Sequence, residues 1–308
     1  METRKTWDLR GPVHTCVLER TWSGRSDSHS VEFRLDGQIA STSVTNHDGS
    51  GFTTIYSYDE TGRLVSSSCR DFSRFYRYDA AGRLAEVTVQ SPSRTGVVET
   101  YEYAPDGSKK KTVQLGPSPA NCSFQVEGGE AGYPAPGAVA MVTLYTTTGK
   151  PLETQFLDEN GSIVNRIVLR YDERGLVVEE SSIQSANSML ARIPVDQMDP
   201  GQIEMLRSVF ANAARTLYHY DERGRRIKKE TTMFGGMMET TEAISYNESD
   251  DPVSHAFEEH NKTGEPSSRR FESRTLYEYD SHGNWLIKSL EDGSNVETRR
   301  IAYWPDRL

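Results

Sequence analysis

Cysteine is almost missing from this chain. Cys16, Cys69 and Cys122 are the only three in 308 residues, and an odd count at wide spacing fits neither a disulfide framework nor a CxxC metal knuckle. Long apolar runs are missing as well. Nowhere do eighteen apolar residues follow one another, so no helical membrane span is expected. Met1 to Trp7 run into polar sequence without the apolar centre of a signal peptide; as given, the chain is expected in the cytoplasm, or exported if a signal peptide has been removed. Basic residues are in deficit, 35 against 45 acidic for a formal charge of −10, so a polyanion meets net repulsion and nucleic acid is not expected as a partner.

Catalytic signatures are equally scarce. No G-x-S-x-G elbow, P-loop or dinucleotide fingerprint occurs, and the seven histidines form no HExxH or HxxxH cluster. No catalytic residue, cofactor or metal site is therefore assigned. Asp280, His282 and Asn284 surround one turn and could donate to a cation, but a turn-capping Asp280 beside an exposed His282 is the simpler reading. The carboxylate doublets Glu179-Glu180 and Glu258-Glu259 are not catalytic pairs by themselves, because adjacent strand residues face opposite ways.

What the chain does have is strand-forming sequence. Its hydrophobic fraction is 35% and its mean hydropathy −0.66, low for a compact globule, yet 15 tyrosines and many Thr and Val favour sheets with one solvated face. One pattern recurs: YSYDETGRL from Tyr56, YRYDAAGRL from Tyr76, YEYAPDGSK from Tyr101, LRYDERGLV from Leu169, YHYDERGRRI from Tyr218 and YEYDSHGNWL from Tyr277. Weaker copies start at Phe33, Leu144, Gln155 and Ser245.

Each copy reads as a hairpin. The paired rings Tyr56 and Tyr58, Tyr76 and Tyr78, Tyr101 and Tyr103, Tyr218 and Tyr220, and Tyr277 and Tyr279, with the single Tyr171, put aromatic surface on one strand face. Asp59, Asp79, Asp172, Asp221 and Asp280 can accept backbone N–H groups two residues on, and Gly62, Gly82, Gly107, Gly175, Gly224 and Gly283 tolerate positive φ. A type I turn closing in a glycine bulge fits this spacing. Glycine spacings of 20, 25, 14 and 49 residues along the chain argue against a strict solenoid. The expected fold is mainly β: a twisted antiparallel meander of tandem hairpins sharing a tyrosine core, each ring contributing about 1.5 to 3 kcal/mol.

Two breaks interrupt the repeats. Residues 116–140 are dense in Gly, Pro and Ala and are expected as a loop or linker, giving hairpin regions at 1–115 and 141–308 that together form one continuous sheet. The second break carries a helix signal near 199–215: Asp199 as N-cap, Pro200, then Ile203, Leu206, Phe210 and Ala214 as a stripe against the sheet. Asp250 to Ser273 is expected as either a long hairpin turning near Asn261 to Gly264 or a mobile loop. Val296 to Trp304 alternates as a last strand.

The Tyr56–Leu84 and Tyr277–Leu286 segments resemble YD repeats, known from bacterial RHS proteins, toxin-complex shell subunits and teneurins. The motifs cover about a third of the chain directly, the implied hairpins most of it. In large members such arrays spiral into a hollow shell. This chain has far fewer repeats than a shell needs and no appended toxin-like domain, so encapsulation is not implied. Trp7 to Val13 and the GNW...IAYW ending resemble small stand-alone bacterial YD-repeat proteins. Arg63, Arg83 and Arg225 follow turn glycines and could line a ligand surface with tyrosine rings; the alternative is that each pairs with a turn Asp or covers a Tyr. The expected function is a non-enzymatic repeat protein offering an extended sheet surface to a protein or carbohydrate partner. The alternatives are a carboxylate-dependent glycan-acting enzyme and a component of an RHS-type toxin or secretion assembly.

Overall fold

The structure, a computed structural model, describes residues 4, 7–93, 95–115, 123–125, 127, 132–134, 137–184, 198–211, 214–262 and 267–305. Its strands are β1 (Val13–Trp22), β2 (Arg25–Phe33), β3 (Ile39–Thr45), β4 (Gly51–Tyr58), β5 (Leu64–Cys69), β6 (Phe72–Tyr78), β7 (Leu84–Gln90) and β8 (Thr95–Tyr103). There follow β9 (Lys109–Gln114), β10 (Ser123–Gln125), β11 (Gly132–Pro134), β12 (Ala140–Tyr145), β13 (Pro151–Leu157), β14 (Ile163–Tyr171) and β15 (Val177–Gln184). After helix α1 (Pro200–Ala211) come β16 (Ala214–Tyr220), β17 (Arg226–Met233), β18 (Met238–Tyr246), β19 (Pro252–Asn261), β20 (Ser267–Tyr279), β21 (Trp285–Leu290) and β22 (Asn295–Tyr303).

Apart from a separate β10–β11 hairpin, these strands form one 20-stranded sheet, and it is not the open meander expected from sequence. β1 pairs on one side with β2, Thr15 opposite Glu32 through Trp22 opposite Arg25. On its other side it pairs with β22, from Val13 opposite Tyr303 to Trp22 opposite Asn295. The first strand thus hydrogen-bonds the last, and the sheet is closed, the hydrogen-bonding arrangement of a β-barrel. Closure satisfies the row of N–H and C=O groups that an edge strand leaves unpaired. It rests on a register between segments about 280 residues apart, which no local pattern encodes.

Packing divides the chain into two compact units: Met1–Gly96 with Tyr246–Ser254 and Ser273–Leu308, and Val97–Ser245 with His255–Glu272. In unit 1, Leu9, Val13, Cys16, Val31, Phe33 and Ile39 form the buried centre, with Trp7, Tyr56, Ile301 and Tyr303 against it. In unit 2 the centre is Ala138, Phe156, Val164, Ile167 and Leu169. The tyrosine ladder is therefore not the principal core. Of the tyrosines in the six strong copies only Tyr218 is buried; a phenol carries a hydroxyl that must find a partner or water, so most rings stop half-buried.

The Gly/Pro-rich stretch expected as a loop holds the β10–β11 hairpin; Cys122 lies outside the described residues. Asp199 caps α1 through reciprocal bonds, Gln202 N donating to Asp199 Oδ1 at 2.9 Å and Asp199 N donating to Gln202 Oε1 at 3.0 Å. The helix touches β15 and keeps Ile203 and Leu206 partly covered. It ends at Ala211 rather than 215, because Ala214 opens β16, opposite Met233 of β17. Asp250 to Ser273 forms the β19–β20 pair; 263–266, where the turn was expected, lie outside the described residues.

Closure can be tested with proline. Successive residues of a strand aim their N–H groups at opposite neighbours, so at least one of Glu19→Pro and Arg20→Pro would be tolerated on an edge strand. With β1 paired on both sides, each is expected to cost about 3 kcal/mol or more in urea unfolding. One tolerated variant of the two would mean that β1 is an edge.

Candidate functional site

Eleven turns among the described residues share one backbone form. The residue that opens the turn donates its N–H to the carbonyl four residues on, and the fourth residue returns a bond to the first, as in Asp59 N to Arg63 O and Gly62 N to Asp59 O, both 2.9 Å. The same pair of bonds recurs at Asp79, Ala104, Asp172, Asp221 and Asp280. Gly62 and Gly82 sit at φ +79° and +77°, and a register shift follows in each hairpin, for example between Ser57 and Tyr58. In the Asn247 turn Asp250 takes the glycine place at φ +68°, a conformation that asparagine and aspartate tolerate better than other side chains.

The turn carboxylates are saturated acceptors. Asp59 Oδ1 accepts from Thr61 N and Arg63 N at 2.9 Å, and Oδ2 from Arg63 Nε at 2.8 Å. Asp79 accepts from Ala81 N, Arg83 N and Arg83 Nε at 2.9, 2.9 and 2.8 Å. Asp221 accepts from Arg223 N, Arg225 N and Arg225 Nε at 3.0, 2.9 and 2.7 Å. Arg63, Arg83 and Arg225, read from sequence as possible ligand groups, are thus forked onto their own turns, and Arg63 also lies 4.8 Å above the Tyr78 ring. Bonds from the following backbone N–H groups, led by those of Arg63, Arg83 and Leu176, hold Asp59, Asp79 and Asp172 below the ordinary carboxylate range. At Asp221 and Asp280 burial is the largest influence and pulls upward, yet the combined hydrogen bonds still leave both lowered.

The second tyrosine of a repeat reaches back to the preceding hairpin. Tyr58 OH donates to Ile39 O at 2.8 Å, Tyr78 to Leu64 O at 2.9 Å, Tyr171 to Pro151 O at 2.5 Å and Tyr220 to Val177 O at 2.7 Å. Each acceptor lies two residues past the preceding turn glycine. Burial raises all four phenols, which therefore remain donors at neutral pH. Tyr279 OH instead meets Asp251 Oδ2 at 2.7 Å, and Tyr277 OH meets Pro252 O at 3.0 Å. Among the first tyrosines, Tyr101 bonds Glu99 Oε2 and Tyr218 bonds Glu180 Oε2, both at 2.8 Å; Tyr56 and Tyr76 lie 3.4 Å from Thr42 and Ser67 hydroxyls.

Around the Asp280 turn no cation site assembles. Asp280 Oδ1 caps His282 N and Asn284 N at 2.8 and 2.9 Å, and its other oxygen accepts from Tyr303 OH. His282 stacks on Tyr303 with ring centroids 4.1 Å apart. Buried Asn284 fastens the N-terminal segment, accepting from Arg10 N at 2.6 Å and donating to Arg10 O at 3.0 Å. Among the described residues no group of three metal-ligating side chains occurs.

Sequence reasoning missed a feature of the solvated face of unit 1. The registers place Ser28 opposite Thr45 and Ser30 opposite Ser43, Ser43 opposite Thr53 and Ser41 opposite Ile55, and Ile55 opposite Ser68 and Ser57 opposite Ser66. They continue with Ser66 opposite Phe75 and Ser68 opposite Ser73, then Phe75 opposite Thr88 and Ser73 opposite Gln90. Opposed residues share a face, and the Ser43 and Thr53 hydroxyls meet at 2.8 Å. The other face carries Val31, Phe33, Val87 and Val89, all buried. Six strands thus present a field rich in hydroxyls, interrupted by Ile55 and Phe75, 50% and 45% exposed, by Glu32 opposite Ser41, and by Arg77 opposite Glu86, which pair at 2.9 Å. The signal was present as Ser or Thr at every second position, as in Ser26-Asp27-Ser28-His29-Ser30 and Ser41-Thr42-Ser43-Val44-Thr45.

Unit 2 has a charged solvated face instead. There Glu179 accepts from Arg215 Nε at 3.0 Å and faces Arg170 at 3.5 Å. Its other face holds a compact polar group in which Lys111 Nζ lies 3.3 Å from Glu99 and 3.6 Å from Glu127. Tyr145 OH donates to Glu127 at 2.6 Å, and Lys109 Nζ sits 3.7 Å from the Tyr145 ring centroid. Burial holds the Lys109 ammonium below its ordinary range.

No protein-family model and no curated protein matches this chain. Solved structures resemble it weakly. One is the crystal structure of TcdB2-TccC3-TEV, at 15% identity and TM-score 0.31 over 87% of this chain and 15% of that one. Another is a porin-like protein from Bacteroides uniformis, at 10% identity and TM-score 0.31 over 95% and 98%. A third is the Photorhabdus luminescens Tc holotoxin pore, at 12% identity and TM-score 0.21 over 93% and 18%. The chain spans less than a fifth of either toxin chain, and the scores are too low to establish a shared fold.

Two outcomes are expected from the turns and staples. Tyr78→Phe removes the donor to Leu64 O and should cost about 1 kcal/mol in urea unfolding; no change would mean that water replaces it fully. Because Asp59, Asp79 and Asp172 are lowered in the fold, their stabilisation is full above the unfolded value of about 3.9. It is lost as pH falls through the depressed values, so melting temperature should drop below about pH 4. A flat profile from pH 6 to pH 2 would contradict this assignment.

Proposed function

We propose that this chain is a non-enzymatic binding protein that offers an extended β-sheet surface to a protein or carbohydrate partner. The observation that carries the reading is a division of labour between polar groups. Turn carboxylates, arginines and tyrosine hydroxyls are consumed by the fold's own bonds, while rows of hydroxyls on unit 1 face solvent. A surface so arranged is suited to recognition and supplies no nucleophile with a base beside it.

The reading places the working surface in water. No helix of the described residues is long and apolar enough to cross a membrane. Against spanning by strands stands the composition of the solvated faces: serine and threonine rows in unit 1 and Arg170, Glu179 and Arg215 in unit 2. A membrane barrel needs an apolar belt there, and an arginine at mid-bilayer costs about 2 to 4 kcal/mol.

One observation favours an enzymatic alternative. Glu99 and Glu127 flank a single ammonium, which brings their oxygens within about 7 Å, inside the spacing used by paired-carboxylate glycosidases. Lys111 occupies the space between them, where the scissile oxygen or attacking water would sit. The two readings separate in one assay. Purified chain incubated with a panel of soluble polysaccharides should release no reducing ends. Release that disappears in Glu99→Gln and Glu127→Gln would replace the binding reading with a hydrolase.

A further inference from the structure

We propose that the hydroxyl face of unit 1, centred on Phe75, Ser66 and Ser43, binds an uncharged polysaccharide. The inference rests on the binding reading above and names its partner. Three properties of the face select the occupant. From Ser28 on β2 across to Thr88 on β7 its charged groups are Glu32 at one margin and Arg77 with Glu86, an ion pair at 2.9 Å that neutralises itself, so the face has no surplus of positive charge and charge complementarity points to a neutral ligand. Nucleic acids and acidic glycans need lysine or arginine opposite each anion.

The face is also poor in what protein interfaces use. Tyr, Trp and Arg dominate such hot spots and Ser is depleted there, whereas these rows are mostly serine and threonine. The repeat tyrosines Tyr56, Tyr58, Tyr76 and Tyr78 share the opposite face. A lipid surface would have to bury the hydroxyls without partners.

What remains is a ligand that is itself a plane of hydroxyls and C–H groups. Each Ser or Thr hydroxyl can both donate and accept, which matches sugar hydroxyls without a charge on either side. Neighbouring strands repeat at about 4.8 Å and same-face residues at about 6.8 Å, so the sheet offers a regular two-dimensional array to a regular polymer. Phe75, 45% exposed in mid-field with serine and threonine as its cross-strand neighbours, supplies an apolar ring on which the C–H face of a sugar can stack. Ile55 extends the apolar contact one strand pair away.

The test is retention of the full chain on microcrystalline cellulose, chitin and an insoluble β-1,3-glucan, with heparin–agarose as the charged control. Phe75→Ser and Ser43→Glu are exposed-face substitutions, checked for unchanged melting temperature. The expected result is retention on at least one neutral polymer, insensitive to 0.5 M NaCl, falling at least tenfold in both variants, with none on heparin. Retention unaffected by either variant overturns this assignment of the face while leaving the binding reading standing. No retention on any neutral polymer overturns it too. A protein ligand whose binding is lost in Ser43→Glu would reassign the face to that ligand. If the chain instead releases reducing ends from these polymers through Glu99 and Glu127, the binding reading itself fails.

Discussion

The hydrogen-bonded seam between β1 and β22 is the constraint on which the closed sheet depends. Every other described pairing joins strands that are near neighbours in sequence, and a hairpin pairing of that kind forms with little loop entropy. The seam must gather the two ends of the chain. Leu9, Val13 and Cys16 gather with Ile301 and Tyr303 beside it, so the non-local pairing is bound into the buried centre of unit 1. Asn284 and Arg299 add polar fastenings, the first to Arg10 and the second through its guanidinium to the carbonyls of Trp7 and Asp8. Arg299 also lies 3.5 Å from the Trp285 ring centroid. The N-terminal segment is therefore part of the closure.

A second constraint is local and repeated. An aspartate that binds two amides and its own guanidinium leaves little charge to interact with anything else, and it does so in units 1 and 2 alike. Tyr58, Tyr78, Tyr171 and Tyr220, each the last residue of its strand, secure the previous hairpin's return strand by one hydroxyl. Since both devices consume their polar groups internally, the residues most conspicuous in the sequence are those least available to a ligand. The surface left over in unit 1 is largely serine and threonine, residues that draw no attention singly.

Legibility followed sequence distance. The turn at Asp79 to Arg83 was readable because its aspartate, glycine and arginine act within five residues. The capping of α1 by Asp199 was readable for the same reason, whereas its end was not, because Ala214 is claimed by a β-strand partner, Met233, that helix periodicity cannot see. The aromatic count misled on the core: Phe33, Ile39, Phe156 and Ile167 are buried without forming a pattern as regular as Tyr-x-Tyr. The hydroxyl field required registers across six strands, and although alternating Ser and Thr stood in β2 and β3, nothing in one strand said that four more would align with it.

The seam has an evolutionary corollary. In a closed ring of antiparallel strands each neighbour runs opposite to the last, so the ring tolerates only an even number, as it has here with twenty. A lineage enlarging or trimming such a protein must gain or lose whole hairpins. Duplication of a single strand would force one parallel seam, while copying a whole hairpin, from its tyrosine-bearing strand through the turn to the end of the return strand, preserves direction, turn and staple together.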